Sequence, residues 1–261
     1  MLPINASSSN ALSLETGALS NSTIGAGRAS LVSEPVPQVV FPTATISTSE
    51  VSFAQAQAII GMPTPRFVTP IREVTVDLAG NVYTTGYFQG TADFDPGSSV
   101  ASLTSVGEHD IYVTKSDPSG NLFWVKRIGG IGEDVAQAIR VDSAGNIYLA
   151  GGFADKVDFD PGTGVANLNA TGSTSMFVTK LDGNGNLVWA KSMEGSELGY
   201  VTSLEVDTSG NVYLTGEFSQ TVDFDPGIST SPLTSKGDTD IFVSKLDSNG
   251  NFLWAKGVGG N

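Results

Sequence analysis

From residue 71 onward, short runs of alternating apolar and polar residues are separated by turn-forming residues. This period of two is typical of half-buried β-strands. In the middle of the chain the alternation predicts strands near residues 137–142, 146–153, 176–182 and 186–192. A turn joins the first two strands and another joins the last two, so each pair is predicted to be an antiparallel hairpin. The loop over 157–171 is long enough to add one short strand.

Each predicted hairpin turn has the sequence Asp-x-x-Gly-Asn. The Asp side chain can accept hydrogen bonds from backbone N–H groups two residues on. The Gly supplies the positive-φ residue of a type I turn followed by a G1 bulge. The turn chemistry therefore agrees with the alternation on either side. The turn begins at Asp77, Asp117, Asp142, Asp182, Asp207 and Asp247.

The whole pattern repeats at an interval of 65 residues without insertion or deletion. Two hairpins per unit give four antiparallel strands, which is the composition of a β-propeller blade. The sequence thus predicts an all-β fold of three four-stranded units over residues 71–135, 136–200 and 201–261. Each unit carries one Asp-Phe-Asp-Pro-Gly element and, in its last predicted strand, one Trp. The elements begin at Asp93, Asp158 and Asp223, and the tryptophans are Trp124, Trp189 and Trp254.

A single unit is not expected to be stable alone, because its apolar faces need neighbours. Propellers close with about four to eight blades, and three are counted here. We therefore expect an incomplete or open ring with an exposed apolar face at both ends. Further blades in the same chain are the predicted neighbours, and a second copy of the chain is the alternative. The recurring aromatic residues of the middle unit are Tyr148, Phe153, Phe159, Phe177 and Trp189.

Residues 1–70 lack this regularity and are rich in Ser, Thr and Ala. They are predicted to be a low-complexity, partly disordered segment followed by a Pro-containing linker. One strand over Val39–Ile46 and a short helix over Phe53–Ile60 are the elements expected there. The segment shows no basic start and apolar run of the kind found in secretory signals.

The repeated motifs resemble the bacterial SBBP repeats, named for a seven-bladed β-propeller. The resemblance rests on Val-Asp-Ser-Ala-Gly-Asn-Ile-Tyr-Leu-Ala-Gly, Val-Asp-Phe-Asp-Pro-Gly and Phe-Val-Thr-Lys-Leu-Asp-x-x-Gly-Asn-x-x-Trp-Ala-Lys, and it covers residues 71–261. It implies a secreted or cell-surface bacterial protein, often multi-modular, without a common enzymatic activity. This chain departs from that picture by showing three units and no recognisable export signal.

Composition and charge narrow the function classes. Asp and Glu outnumber Lys and Arg by 27 to 13, which gives a net charge of −14. A field of this sign repels phosphate backbones and anionic lipid, so no nucleic-acid partner is expected. The absence of Cys excludes disulfides, thiolate catalysis and zinc–sulfur sites, and the single His excludes reactions that need two imidazoles. No apolar run approaches the roughly 18 residues of a membrane span.

The paired carboxylates of each Asp-Phe-Asp-Pro-Gly element are candidates for calcium binding. Alternate residues of a strand face the same way, and Ca²⁺ is bound by carboxylate and carbonyl oxygens. The competing interpretation is an Asp-Pro-Gly turn with a solvated first Asp. Recurrence in every unit favours the turn, because a fold-determining turn must repeat and a site need not. The pairs are Asp93/Asp95, Asp158/Asp160 and Asp223/Asp225.

Two further sets of polar residues have structural interpretations. His109 has Thr174 and Thr239 at equivalent positions and is predicted to be a solvent-exposed residue without a catalytic partner. Lysines recur on the last two strands of each unit, where they are predicted to protect outer strands from pairing with other chains. These lysines are Lys115, Lys180 and Lys245, followed by Lys126, Lys191 and Lys256.

The sequence predicts a non-catalytic scaffold or recognition surface for an unknown protein or glycan. We assign no catalytic, cofactor-binding or metal-binding residue and do not expect an enzyme. Ligand contact is expected from the unrepeated segments Glu133–Asp134, Glu194–Tyr200 and Ser98–Glu108. The alternative is a fragment of a propeller enzyme, such as a glycoside hydrolase or lyase, with unrepeated carboxylates as catalysts. Its candidate carboxylates are Glu133, Glu194 and Glu197.

Overall fold

The computed structural model describes residues 70–195 and 199–260, and this part of the chain forms 18 β-strands and no helix. The strand expected over Val39–Ile46 and the helix expected over Phe53–Ile60 lie outside the described residues. In chain order the strands are β1 (Ile71–Val76), β2 (Val82–Phe88), β3 (Thr91–Asp93), β4 (Ser102–Thr104), β5 (Asp110–Ser116), β6 (Leu122–Gly130), β7 (Asp134–Val141), β8 (Ile147–Phe153), β9 (Lys156–Asp158), β10 (Asn167–Asn169), β11 (Ser175–Leu181), β12 (Leu187–Gly195), β13 (Gly199–Val206), β14 (Val212–Phe218), β15 (Thr221–Asp223), β16 (Pro232–Thr234), β17 (Asp240–Leu246) and β18 (Phe252–Val258).

The long strands form three four-stranded antiparallel sheets. Their orders are β1-β2-β5-β6, β7-β8-β11-β12 and β13-β14-β17-β18, and we call them the first, second and third sheets. The predicted hairpins are present, with bounds that differ at the unit junctions. Strand β7 begins at Asp134 because Asp134 still pairs with Phe153 of β8. Within the described ranges the three sheets do not close into a ring.

The hairpin turns have the predicted geometry. Asp142 Oδ1 accepts hydrogen bonds from the backbone N–H groups of Ala144 and Asn146, both at 2.9 Å. The Asn146 amide donates to the other carboxylate oxygen at 2.8 Å, a bond that the sequence interpretation did not include. Gly145 adopts a φ of 82°, which is the left-handed conformation that the turn requires. The glycines of the other five turns, with φ between 75° and 88°, are Gly80, Gly120, Gly185, Gly210 and Gly250.

The loop between the two hairpins of each unit contains two short strands where the sequence predicted one. In the second unit these are β9 and β10, and β9 also pairs with the end of β6 through Gly129 with Asp158 and Gly130 with Val157. Strand β15 pairs with the end of β12 in the same way. The short hairpins of the second and third units therefore join their own unit to the preceding sheet, whereas β3 and β4 of the first unit pair only with each other. The contact needs glycine, since a Cβ on Gly130 would lie 2.1 Å from the Lys156 carbonyl oxygen.

Buried aromatic residues anchor each short hairpin to its own sheet. Phe159, which follows β9, is fully buried and lies edge-on to Phe153 with ring centroids 5.4 Å apart. Its ring centroid is also 5.0 Å from that of Phe177 in β11. The same three-ring cluster occurs in the first and third units. Their members are Phe88, Phe94 and Tyr112 in the first unit, and Phe218, Phe224 and Phe242 in the third.

Neighbouring sheets share apolar cores, as the stacking argument requires. Tyr83 and Ile111 of the first sheet belong to one buried cluster with Ile139 and Leu149 of the second. A second buried cluster joins residues of the second and third sheets. It includes Tyr148, Ala150 and Val178 with Leu204 and Leu214.

The expectation of exposed faces at both ends is met at one end. The outward face of the third sheet exposes Ile241 by 51% and Val243 by 38%. At the other end the expectation is wrong, because Val82 and Thr84 of β2 are only 5% and 1% exposed. On the same face, Phe88 and Tyr112 pack on the short hairpin of their own unit and are fully buried.

Candidate functional site

The Asp-Phe-Asp-Pro-Gly carboxylates are engaged in loop hydrogen bonds. Asp158 Oδ1 accepts from the backbone N–H groups of Asp160 at 3.1 Å and Ala166 at 2.8 Å. Asp160 Oδ1 accepts from Gly162 N–H at 2.7 Å. The bonds recur in the other two units, which supports the turn interpretation over a calcium site. Across residues 70–195 and 199–260, no group of three or more Asp, Glu or His side chains is placed to hold a metal ion.

The expectation that the recurring lysines protect outer strands is wrong for the first set, Lys115, Lys180 and Lys245, which lie on interior strands. Lys180 lies on β11, which pairs on both sides with β8 and β12 and is therefore an interior strand. Its ammonium sits over the Tyr148 ring, 5.0 Å from the centroid. Lys126 on β6 packs against the turn of the next unit, where a Cβ on Gly185 would lie 3.0 Å from its side chain. Both sets of lysines contribute packing, which a strand count alone does not reveal.

Trp124 and Trp189 pack between units. A Cβ on Gly185, in the last turn of the second unit, would lie 3.2 Å from Trp124 of the first. Gly250 of the third unit has the same relation to Trp189, whose indole N–H also donates to the Ser248 carbonyl at 3.2 Å. The repeated polar and aromatic residues are thus accounted for by turns, cores and junctions.

The unrepeated side chains gather at the junction between the first and second sheets. His109, just before β5, and Glu133, just before β7, form a parallel backbone bridge that brings the two units side by side. The Asp134 N–H donates to the His109 carbonyl at 2.9 Å. On the first sheet the Tyr87 ring lies against His109, and Arg72 lies over the Tyr87 ring. We call Arg72, Tyr87, His109 and Glu133 the junction surface.

His109 is not a freely exposed residue, which corrects the sequence expectation. Its side chain is 32% exposed, and its ring lies edge-on to Tyr87 with centroids 4.8 Å apart. Nδ1 is buried without a hydrogen-bond partner and lies 3.8 Å from Glu133 Oε1. Arg72 covers the Tyr87 ring, with its guanidinium carbon 5.1 Å from the centroid. In the sequence, this cluster can be recognised because its residues are replaced by other residue types at the equivalent positions of the other units.

Two buried aspartates lie beneath the junction surface. Asp110 is fully buried, pairs with Arg127 at 2.6 Å and accepts from the Val106 N–H at 3.0 Å. Asp134 is also fully buried and accepts from the backbone N–H groups of Gly130 at 2.7 Å and Ala154 at 3.3 Å. Asp134 was expected to contact a ligand, and its burial shows that expectation to be wrong.

Asp134 has a strongly perturbed acidity. Burial raises the pKa of Asp134 to about 7, against the opposing effect of the two N–H groups, and the nearby charges of Asp110 and Asp155 raise it further. Arg127 pairs with Asp110, whereas the two donors to Asp134 are neutral backbone N–H groups, so a proton on Asp134 relieves the excess negative charge.

The junction between the second and third sheets has a different composition. The position of Tyr87 is Gly152 here, and a Cβ on Gly152 would lie 3.1 Å from the Tyr200 ring of the third sheet. Glu194 was expected in a connecting loop, but it belongs to β12 and pairs with Asp223 because the short hairpin extends that strand. Glu197 lies outside the described residues. The two described candidate carboxylates, Glu133 and Glu194, therefore belong to different junctions.

The first strands of the three sheets are linked by one arginine. Arg140 on β7 reaches Glu73 Oε1 on β1 at 2.6 Å and Glu205 Oε1 on β13 at 2.9 Å. The second Glu73 oxygen accepts from the Ile139 N–H at 2.7 Å. These ion pairs link the three units, and they leave the Arg140 guanidinium engaged rather than available to a ligand.

A cleft of about 350 Å³ opens between the hairpin turns of the second and third units. Its walls include Ser143, Lys180 and Thr208. The carboxylates of Asp142 and Asp207 line it too, but both are held in their turns by hydrogen bonds. We therefore regard the junction surface as the stronger candidate for ligand contact.

Comparison with known proteins gives distant similarities. No protein-family model matches the chain, so the resemblance to SBBP repeats stays a prediction. The chain is 30% identical over 156 residues to the uncharacterized WD repeat-containing protein L264 of Acanthamoeba polyphaga mimivirus, a match that covers 56% of this chain and 11% of that protein. It is 24% identical over 145 residues to the regulatory protein FlaEY of Caulobacter vibrioides, covering 56% of this chain and 15% of that protein. The chain thus matches a small part of each relative's length.

A solved structure of a protein of unknown function from Bacteroides caccae has a TM-score of 0.24 and 11% sequence identity to this chain. The similarity covers 75% of this chain and 83% of that one, and it is too slight to bear on the fold. Repeats, all-β architecture and the WD-repeat relative together describe an all-β repeat protein. No helix within the described ranges is long and apolar enough to span a membrane.

Proposed function

We propose that the chain is a non-catalytic β-propeller module of a secreted or cell-surface bacterial protein, in which it acts as a scaffold and recognition surface. The observation that carries this proposal is the division between repeated and unrepeated polar residues. The repeated ones are held in turns and unit junctions, whereas Arg72, Tyr87, His109 and Glu133 have no equivalent in the other units. Residues that the fold does not require are the ones free to serve a ligand.

Three observations support the propeller and scaffold parts of the proposal. Each unit is a four-stranded antiparallel sheet, and adjacent sheets share an apolar core. These are the properties of propeller blades. The WD-repeat relative points the same way, because WD repeats form four-stranded blades.

The chemistry of the junction surface favours a polar protein ligand over a stacked sugar. Arg72 lies over the Tyr87 ring and His109 lies against it edge-on, so the ring is already in contact on two sides. The groups left for a ligand are hydrogen-bonding and charged ones. The Glu133 side chain is 62% exposed, and Arg72 on the first sheet is exposed too.

The test is a direct binding screen with surface variants. The fluorescently labelled chain is applied to a microarray of peptides and, in parallel, to a microarray of glycans. We expect binding to peptides, weakened at least tenfold by Arg72→Ala and by Glu133→Ala. Lys236→Ala and Asp238→Ala, exposed residues of the third unit, are the matched controls. Binding that both junction variants leave intact refutes the recognition surface, and absence of binding on both arrays leaves a scaffold alone.

The enzyme alternative requires two carboxylates that face one substrate bond. Glu133 lies beside His109, and Glu194 lies beside Asp223 at the next junction. No observation favours their cooperation in a reaction. Hydrolysis of a chromogenic sugar by the chain, lost in Glu133→Gln or Glu194→Gln, is the result that would support it.

A further inference from the structure

The third sheet exposes a face that the other two sheets bury. We call Tyr213, Thr215, Ile241 and Val243 the terminal face. Ile241 and Val243 are 51% and 38% exposed, Thr215 is exposed and Tyr213 is half-buried. The eight residues at the equivalent positions of the first and second sheets are at most 1% exposed, because the next sheet covers them. They are Tyr83, Thr85, Ile111 and Val113, then Tyr148, Ala150, Met176 and Val178.

The end of the last strand keeps a glycine that nothing in the described chain requires. At the equivalent positions, a Cβ on Gly130 would lie 2.1 Å from the Lys156 carbonyl oxygen, and one on Gly195 would lie 2.6 Å from Val222. Both contacts come from the short hairpin of the following unit. Around Gly260 no atom lies within 4 Å of the same position. Strand β18 accordingly ends at Val258, two residues before the equivalent ends of β6 and β12.

Asp240, at the margin of the terminal face, is a buried carboxylate with an incomplete set of donors. It is 6% exposed, and Oδ2 accepts from the Lys236 N–H at 3.0 Å, while Oδ1 has no partner. The equivalent Asp110 is paired with Arg127, whose position is Gly257 in the third unit. A buried oxygen without a donor costs free energy, so this site favours a partner that supplies one.

The last tryptophan is uncovered in the same way. Trp124 and Trp189 each pack against the positive-φ glycine in the last turn of the following unit. Trp254 is 38% exposed at the equivalent position. An apolar face, an open strand end, an orphaned carboxylate oxygen and an uncovered indole therefore coincide on one side of the third sheet.

We propose that this side of the third sheet docks one further sheet of the same repeat, covalently continuous with the chain. The inference rests on the proposed propeller fold, and it specifies how the third sheet would contact the sheet that follows it. The short hairpin of the docked unit pairs with Gly259 and Gly260 through its Asp and Val, as β9 pairs with β6. Its last turn covers Trp254, and its lead-in residues run beside Thr239, where they bring N–H donors close to Asp240.

The experiment appends one unit to the full chain and measures amide hydrogen exchange. Residue 261 is equivalent to residue 131, so a copy of residues 132–195 joined after Asn261 keeps the 65-residue register. We expect exchange at the amides of β17 and β18 to slow at least tenfold relative to the unextended chain. No slowing in the extended chain, or an appended unit that stays unprotected, overturns the proposal.

Variants at exposed positions decide whether the slowing comes from the proposed contact. Val243→Lys and Gly260→Val are expected to abolish it, and both sites are exposed, so neither change should unfold the parent chain. Ile228→Lys, at a fully exposed loop position of the same unit, is the control that should leave the slowing intact. Slowing that survives Val243→Lys and Gly260→Val contradicts the assignment.

Light scattering on the unextended chain tests whether a second copy of the chain, rather than a covalent unit, covers the terminal face. A doubled mass, together with slowed exchange in β17 and β18, identifies a second copy and refutes docking of a covalent unit. The outcome is independent of the ligand screen, because Arg72 and Glu133 lie on the other side of the second sheet from the terminal face. Either proposal can fail while the other holds.

Discussion

Asp134 makes the junction between the first and second sheets sensitive to pH. It is fully buried beside Asp110, and its two oxygens accept from the N–H groups of Gly130 and Ala154. Burial raises its pKa from 3.8 to about 7. Substitution by Asn keeps the size of the side chain and one acceptor oxygen, while it removes the titration.

The sign and size of the effect follow from linkage. Between pH 4 and 7 the folded state holds a proton on Asp134 that the unfolded state has released, so stability falls as pH rises through this window. The pKa of Asp134 rises from 3.8 to about 7, and each pH unit in this window is worth about 1.36 kcal/mol. The free energy of unfolding therefore falls by about 4 kcal/mol between pH 4 and pH 7. The turn aspartates act in the opposite direction at lower pH. Hydrogen bonds from Asn121 lower the pKa of Asp117, so its contribution is lost as pH falls below about 4.

Urea unfolding monitored by circular dichroism at pH 4.5, 6 and 8 checks this reasoning. For the unsubstituted chain we expect this group to lower the free energy of unfolding by about 3 kcal/mol between pH 4.5 and pH 8, because pH 4.5 is already above the pKa of Asp134 in the unfolded chain. In Asp134→Asn that component should disappear, whatever the absolute stability of the variant. Asp238→Asn, at an exposed loop position, should keep it. Parallel pH profiles for the unsubstituted chain and Asp134→Asn would refute the assignment.

Three further outcomes are expected. Phe159→Ala empties the centre of a three-ring cluster and should cost about 3–5 kcal/mol in urea unfolding, whereas Val165→Ala at a 73% exposed position should be nearly neutral. Gly130→Val should weaken the pairing of β9 with β6, because its Cβ meets the Lys156 carbonyl, and should speed amide exchange in β9 with little change in β17. Because the Asp-Phe-Asp-Pro-Gly carboxylates already accept backbone N–H groups, the melting temperature should not shift between EDTA and millimolar calcium; a clear rise with calcium would revive the metal interpretation.

Local features of the fold were predictable because their causes are local. The Asp-x-x-Gly-Asn turns contain their own hydrogen-bond partners, so the sequence is enough to place them, as Asp142 and Gly145 show. The pairing of β9 with β6 was not predicted, since it joins segments of different units and is decided by where the sheets stack. The same is true of Lys180, whose partner ring is recognisable only after strand order is known.

The candidate site illustrates the other limit of sequence reasoning. His109 was dismissed because it does not repeat, although that property is what distinguishes the junction surface from the framework. Its neighbours Arg72 and Tyr87 are 37 and 22 positions away in the chain, so no local motif connects them. Comparison of equivalent positions across the three units identifies the residues of the junction surface as unrepeated, but it does not reveal that they contact one another.

In the second and third units the short hairpin pairs backward onto the preceding sheet, so the first two sheets are completed only by chain made after their own last strands. The first sheet ends at Gly130, and the strand that seals its edge ends at Asp158. The ribosome must therefore synthesise 28 more residues before β9 can pair with the end of β6. Assembly is directional, and at every moment of synthesis the newest sheet is the one most open to proteases and to mispairing.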